Sequence, residues 1–320
     1  MKQKEILLFG GTGQIGRNLV RKLSENNYKI TVVTRNLHQS GYILKTQANP
    51  GYLNLVEMNN FDMKKISSLM ENVDICINLV GILYEKKKNE FKLIHTDFPN
   101  MLSKLAKKHQ IKKFIHLSSL GIENAIDSKY AQSKLEGENT VRNNFSKSII
   151  LKPSIVYSLD DKFTTNFMSL LSLLPFMPLY YSGKTKFIPI HVIDLVNIII
   201  NVIEIESEGI TIECVGPETL SFKELLRKLL RSINKKRLLI PLPMPIAKFS
   251  AKLLQLFPKP ILTEDQLRTL KYDNILSGKY KSNFDIGIKA EKFFENEINK
   301  YSFNWRSGGQ FSKETKKKIL

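Results

Sequence analysis

Apolar and polar positions in the first half of the chain repeat with two alternating periods. Short apolar runs at residues 6–9, 30–34, 53–57, 73–79, 113–117 and 148–151 read as strands buried on both faces. Between them, helical spacing of apolar residues marks 14–23, 64–70, a helix ending near Lys108, and 130–143. Such alternation predicts the α/β class, a Rossmann-type doubly wound parallel sheet of six strands with helices on both faces. Residues 1–155 are assigned to this sheet as a nucleotide-binding domain. Past Pro153 the regularity loosens and prolines multiply, from Pro175 to Pro260. Residues 156–320 are therefore expected to form a smaller, mixed C-terminal region, interleaved with the sheet, for a substrate or partner. Two helix starts stand out there, because Ser221 with Glu224 and Thr263 with Gln266 have capping-box spacing. Residues 246–257 set Lys248 and Lys252 among Phe249, Leu253, Leu254 and Phe257, an amphipathic pattern that serves either core packing or a peripheral membrane or partner face. Lys112 and Lys113 read as the solvated start of a buried strand, and residues 313–318 as a solvated tail.

The first apolar run leads into Gly10-Gly11-Thr12-Gly13-Gln14-Ile15-Gly16-Arg17, and a helix follows at once. Glycines at 10, 13 and 16 allow a tight turn, close backbone approach to a pyrophosphate, and close packing of helix on sheet. Free N–H groups at the positive end of the helix dipole then hold phosphate. The second strand ends Val33-Thr34-Arg35, with an arginine where a carboxylate would bind a ribose 2′-hydroxyl. Arg35, with Arg17 as a second cation, suits a 2′-phosphate, which predicts NADPH over NADH. Asn59 and Asn60 follow the third strand and offer a carbonyl to an adenine amino group. After the fourth, Leu79-Val80-Gly81 supplies either a turn whose glycine lets the backbone pass beside a nicotinamide ribose or a simple strand-end turn.

Further candidate chemistry lies after the fifth strand, which ends Ser118-Ser119 and is followed by Tyr130-Ala131-Gln132-Ser133-Lys134. Tyr130 and Lys134 share a helix face, so the ammonium can bind ribose hydroxyls and lower the phenol pKa, while Ser119 positions a carbonyl. Together they make a candidate catalytic trio for proton transfer beside a hydride. In the extended short-chain dehydrogenases that this set resembles, an Asn in the helix before the fifth strand completes the constellation; His95 occupies the comparable place.

Composition narrows the partners. In 320 residues, 49 basic against 30 acidic side chains give a net charge of +19. That allows an anionic membrane surface or acidic proteins, but the aromatics are not interleaved with the basic clusters, so nucleic acid is excluded. Cys76 and Cys214 lie far apart in strand-like runs without CxxC spacing, which points to buried thiols in a reducing compartment and to no metal. The start of the chain does not fit a signal peptide, and the most apolar stretch, 188–205, carries His191, Asp194, Asn197, Asn201 and Glu204, against a membrane span.

Taken together these motifs resemble an atypical, extended short-chain dehydrogenase/reductase of the NAD-dependent epimerase/dehydratase kind. Asn78-Leu79-Val80-Gly81-Ile82-Leu83-Tyr84-Glu85, the stretch from Ser128 to Glu138, Leu151-Lys152-Pro153-Ser154-Ile155-Val156-Tyr157, residues 183–190 and residues 262–271 are more particularly similar to the nucleotide-binding accessory subunits of respiratory complex I, in their alphaproteobacterial form. That resemblance implies a tightly held NADPH serving structure and assembly, with Ser118 and Pro153 joining the cofactor set. It also implies complex I subunits as partners and a peripheral position on the cytoplasmic face of a bacterial inner membrane. Two features depart from the pattern: Asn59 stands in place of the commoner Asp, and the short loop between Ser119 and Tyr130 leaves little room for a large substrate loop, which argues against turnover. The alternative is a free-standing NAD(P)-dependent oxidoreductase or epimerase using Ser119, Tyr130 and Lys134.

Overall fold

A computed structural model describes residues 3–255, 260 and 262–309. In chain order the elements are β1 (Glu5–Phe9), α1 (Gln14–Glu25), β2 (Lys29–Thr34), α2 (Leu37–Lys45), β3 (Leu53–Glu57), α3 (Met63–Leu69), β4 (Ile75–Asn78), α4 (Phe98–Lys108), β5 (Lys113–Leu117), α5 (Lys129–Asn144), β6 (Ile149–Pro153) and β7 (Val156–Tyr157). They continue with α6 (Thr164–Leu173), β8 (Phe176–Leu179), β9 (Lys186–Phe187), β10 (Ile190–His191), α7 (Val192–Glu204), β11 (Thr211–Cys214), β12 (Leu220–Ser221), α8 (Phe222–Ser232), β13 (Leu238–Pro241), α9 (Met244–Leu254), α10 (Glu264–Thr269), β14 (Lys281–Ser282) and α11 (Phe294–Asn299).

One all-parallel sheet runs in the order β14-β11-β6-β5-β4-β1-β2-β3. Sequence periodicity anticipates the six contiguous strands from β6 to β3; β11 and β14 add two more beyond β6 from the C-terminal half. Strand alternation sends Ile6, Leu8, Ile115 and Leu117 to one face, where they pack with Leu19 and Leu23 of α1 and Leu195, Ile199 and Val202 of α7. Leu7, Phe9, Cys76, Phe114 and Ile150 go to the other, against Ile66 of α3, Phe98 and Leu102 of α4 and Val141 of α5. Both cysteines are free and buried, and burial raises both thiols far above their ordinary pKa. A separate core joins α6, α8 and α11 through Met168, Leu171, Leu225, Leu229, Phe294 and Ile298.

Both anticipated capping boxes are present, at Ser221–Glu224 and Thr263–Gln266. Helix α2, which the apolar pattern does not announce, starts where Asn36 Oδ1 accepts the Gln39 N–H at 3.0 Å. Lys113 corrects the reading of a solvated strand start, because its ammonium donates to the carbonyls of Val202 (3.1 Å), Ile203 (2.7 Å) and Ile205 at the C-terminal end of α7. In α9, Ala247 and Ala251 are buried while Ile246 and Phe249 are 54% and 65% exposed, so core packing does not account for the apolar residues of that face. Phe257 and the 313–318 tail lie outside the described residues. No helix among the described residues is long and apolar enough to cross a membrane.

Candidate functional site

Strand order reverses between β1 and β4, and the loops leaving their C-terminal ends meet there. Leu79 N–H donates to the Phe9 carbonyl at 3.0 Å. Gly10, at φ +83°, lies so close that a Cβ would be 2.9 Å from the Leu79 carbonyl carbon. At Gly16 a Cβ would fall 2.3 Å from the Gly10 oxygen, which explains how α1 seats on the loop. Gly13 is different: its nearest neighbour would be 3.4 Å away, its φ is −76°, and it is exposed. Protein packing does not require this glycine: its N–H donates to the Gly10 carbonyl at 3.1 Å and its carbonyl accepts the Arg17 N–H at 3.0 Å, so what it leaves open to a ligand is the bare Cα face.

Five helices, α2, α3, α5, α8 and α10, carry a side-chain N-cap from Asn, Asp, Ser or Thr. Helix α1 has no side-chain cap and no acidic residue in its first turn. Its orphan N–H groups and unneutralised dipole suit an anion. Thr12 and Ile15 are half-buried in the same turn. Gln14 Nε2 is tethered to Ser158 Oγ at 2.9 Å. Arg17, expected as a free second cation, is instead ion-paired with Asp160. Arg35 is exposed at the end of β2, and Asn59 and Asn60 are exposed after β3 on the same edge of the sheet.

Across the switch point the polar groups are buried and organised. Asn78 Oδ1 accepts the Val80 N–H at 3.1 Å, shaping the β4 turn, and Asn78 Nδ2 faces His116 Nδ1 at 3.2 Å. A Cβ on Gly81 would be 3.3 Å from the Lys134 ammonium, so the bare turn and that charge are adjacent. Lys134 is 5% exposed, and its Nζ donates to the Leu117 carbonyl at 3.1 Å. Burial lowers it to about 8, against a smaller upward pull from Glu138.

The Tyr130 hydroxyl is hydrogen-bonded to Ser119, so α5 and the end of β5 bring that pair together. Burial holds the phenol above its ordinary range, Ser119 draws it down, and the Asp265 carboxylate raises it further. The expected lowering by Lys134 is not what this arrangement provides: desolvation dominates. Pro153 ends β6 in the buried layer beside this site.

His95 sits in a π-helical turn, Lys92–Asp97, ahead of α4. Its Nε2 accepts the Ile82 N–H at 3.1 Å and its Nδ1 lies 2.9 Å from Ser133 Oγ, whose hydroxyl donates to the Tyr130 carbonyl at 2.8 Å. Both ring nitrogens are thus used, with the proton on Nδ1, and His95 ties the Gly81 turn to α5. Burial, with Lys134 and His116 adding to it, holds His95 at about 2. Burial and the charges of Lys134 and Arg142 hold His116 at about 3.

Residue-type reasoning missed Asn78, His116 and Glu138 as site residues. Glu138, fully buried, lies one turn past Lys134 and pairs with the equally buried Lys152 at 2.8 Å and with Arg142 at 3.1 Å. Its spacing in the Tyr130, Lys134, Glu138 series was the available signal. Two buried polar atoms at the end of β5, His116 Nε2 and Ser118 Oγ, have no partner within the described chain. A polar ligand supplying hydrogen-bonding groups there would satisfy them, and the uncapped α1 and bare Gly13 fit its phosphates.

The sequence profile of the NAD dependent epimerase/dehydratase family matches residues 6–212. The chain belongs to that family. Its likeness to individual proteins extends further. It is 26% identical over 287 residues to the mitochondrial 40 kDa subunit of NADH-ubiquinone oxidoreductase from Neurospora crassa, covering 88% of this chain and 74% of that protein. It is 26% identical over 314 residues to the mitochondrial NADH dehydrogenase [ubiquinone] 1 alpha subcomplex subunit 9 of Arabidopsis thaliana, covering 94% and 78%. Similarity to a ceramide reductase of Caulobacter vibrioides, 25% identical, is confined to 59% of this chain and 57% of that one. Among solved structures, the UDP-glucose 4-epimerase of Bifidobacterium longum with NAD+ and UDP superposes with a TM-score of 0.70 at 16% identity, covering 98% and 99%. That last likeness carries the fold alone.

Proposed function

We propose that this chain is an NADPH-binding accessory subunit of respiratory complex I in which the dinucleotide serves structure and assembly. The observation that carries the proposal is the similarity to complex I subunits over 88–94% of the chain, far past the glycine loop shared by the whole family. In this reading the N–H groups of the first turn of α1, at Gln14, Ile15 and Gly16, hold the pyrophosphate against the bare face of Gly13, Gly10 and Thr12 shape that turn, and Arg35 meets the 2′-phosphate. Arg17 assists by exchanging Asp160 for the phosphate. Asn59 and Asn60 border the adenine. Leu79, Val80, Gly81, Ser118, Tyr130, Lys134 and Pro153 enclose the nicotinamide end. A bound nicotinamide supplies a hydride-transfer centre; in the accessory role it is a fixed strut.

Complex I subunits are the proposed partners, at the cytoplasmic face of a bacterial inner membrane. Exposed Ile246 and Phe249 beside Lys248 and Lys252 suit an apolar, anionic surface. The test is to purify the protein from its own membranes at low salt, identify what co-elutes, and then identify the nucleotide released on denaturation. Respiratory subunits with near-equimolar NADPH are expected. A monomer free of such subunits would overturn the complex I assignment, and NADH in place of NADPH would overturn the Arg35 argument.

A second reading is favoured by one observation, the Ser119–Tyr130 hydrogen bond beside Lys134. With that trio the protein would be a free-standing NAD(P)-dependent oxidoreductase or epimerase. Tyr130 would donate or accept a proton at a substrate oxygen that Ser119 orients. Substrate-dependent absorbance change at 340 nm that is lost in Tyr130→Phe would establish this reading for an oxidoreductase.

A further inference from the structure

The N-terminus of α5, which carries Tyr130, is held from the far end of the chain. Asp265 in α10 accepts the Ser128 hydroxyl at 2.8 Å, the Lys129 N–H at 2.7 Å and the Tyr130 N–H at 3.0 Å. Three residues on, Arg268 Nη1 donates to the Asp127 carbonyl at 3.2 Å. The same segment also grips the loop after Ser119. Asn274 Nδ2 donates to the Leu120 carbonyl at 2.5 Å, and Asn274 Oδ1 accepts the Ser154 hydroxyl at 2.5 Å. Ser128 alone would cap α5, since its Oγ already accepts the Ala131 N–H at 3.2 Å. The carboxylate of Asp265 takes up two further orphan N–H groups of the first turn, one of them belonging to Tyr130 itself.

We propose that residues 263–274 form a clamp that sets the Ser119–Tyr130 pair, with Asp265 as its positioning residue. The two grips act on the two partners of one hydrogen bond: Asp265 fixes the backbone of Tyr130, and Asn274 fixes the strand end that carries Ser119. Helix α10 is itself built to hold Asp265 still, through the Thr263–Gln266 capping box and the buried Leu267 packed on Ala247 and Ala251 of α9. The carboxylate also bears electrostatically on the phenol, which it helps to keep protonated. The C-terminal region thereby determines the shape of the nicotinamide end of the site.

This inference rests on the reading that α5 borders a nicotinamide dinucleotide, and the experiment separates the two. Wild type, Asp265→Asn and Arg268→Ala are compared for NADPH affinity by calorimetry. The Tyr130 phenol is titrated by NMR with ring-labelled tyrosine, using Tyr130→Phe to assign the signal. Asp265→Asn retains shape and one acceptor oxygen but removes the charge. It is expected to lower the phenol midpoint in the ligand-free protein and to weaken NADPH at least fivefold, while Arg268→Ala leaves the phenol unchanged. A folded Asp265→Asn protein with wild-type phenol midpoint and wild-type affinity overturns the clamp. If wild type itself fails to bind NADPH or NADH, the dinucleotide reading falls, and the phenol titration still decides whether Asp265 governs Tyr130. Should Asp265→Asn not fold, Asn274→Ala tests the other grip by the same affinity measurement, and unchanged binding overturns the clamp.

Discussion

Two glycines three residues apart separate what the glycine loop does for the fold from what it does for a ligand. At Gly16, an alanine methyl would lie 2.3 Å from the Gly10 oxygen, 2.5 Å from Gly11 Cα and 2.6 Å from its carbonyl carbon. All three are backbone atoms, so no side chain can swing aside. Overpacking of this kind costs about 1–3 kcal/mol, and rigid neighbours place it at the upper end; alanine in a helix returns about 1 kcal/mol. Gly16→Ala should therefore be destabilised by about 2 kcal/mol, a Tm lower by roughly 3 °C for a chain of 320 residues. At Gly13, the nearest atom to a new methyl is 3.4 Å away and φ is already −76°, so alanine fits. The only cost is that Gly is the better N-cap, about 0.5–1 kcal/mol.

Binding should follow the opposite logic. If phosphate oxygens lie against the bare face of Gly13, a methyl there displaces them, and NADPH affinity should fall at least tenfold, about 1.4 kcal/mol, with Tm changed by only about 1–2 °C. Calorimetric melting and NADPH titration of both variants read these out. Wild-type affinity in Gly13→Ala would refute the assignment of the pyrophosphate to this loop. A Gly16→Ala protein as stable as wild type would refute the steric argument.

Other expectations follow from the buried charges. Lys134, held at about 8 against an ordinary 10.5, carries a charging penalty of roughly 3 kcal/mol at neutral pH, so Lys134→Met should stabilise the ligand-free protein by about 1–2 kcal/mol after the Leu117 carbonyl loses its donor. Between pH 8 and 10.5 the unfolded chain binds a proton that the folded one does not, so wild-type stability rises with pH there and the variant's advantage fades; urea titrations at pH 7 and 10 check this. His95, held at about 2 against an ordinary 6.5, stays neutral in the fold while the unfolded chain protonates, so its stabilisation is lost as pH falls below 6.5. Replacing it in His95→Asn should reduce the loss by about 1.4 kcal/mol per pH unit between pH 6 and 4, and an unchanged slope would refute the neutral assignment. Lys113→Met strips three carbonyls at the end of α7 of their donor and should cost about 1–3 kcal/mol, whereas Lys112→Met, which loses an exposed pair with Asp74, should fall within about 0.5 kcal/mol of wild type by urea denaturation.

Those last two lysines mark where sequence reasoning stops. Strands β1 to β6, α1 and α5 are legible because their signals are local: a buried apolar run, a helical period, glycines at fixed offsets. Lys112 and Lys113 have identical local context, yet only Lys113 reaches α7, some ninety residues away. Strands β11 and β14, the last two at one end of the sheet, escape for the same reason; each is short, and Glu213 is buried in β11 where it accepts the Ser277 N–H at 3.0 Å. At the site, Tyr130 and Lys134 announce themselves four apart on one helix. The residues that tune them do not: Asn78 and His116 meet across neighbouring strands, Lys152 meets Glu138 from β6, and Asp265 arrives from 135 residues away. The phenol illustrates the consequence. From spacing alone Lys134 should lower it, but in the fold its midpoint is governed by burial, which raises it, then by Ser119, which draws it down, and then by the Asp265 carboxylate of the C-terminal region, which raises it. The sheet with its glycine-loop motifs is therefore adjusted at Tyr130 by a carboxylate from the C-terminal region, a coupling between two parts of the chain that lie 135 residues apart in sequence.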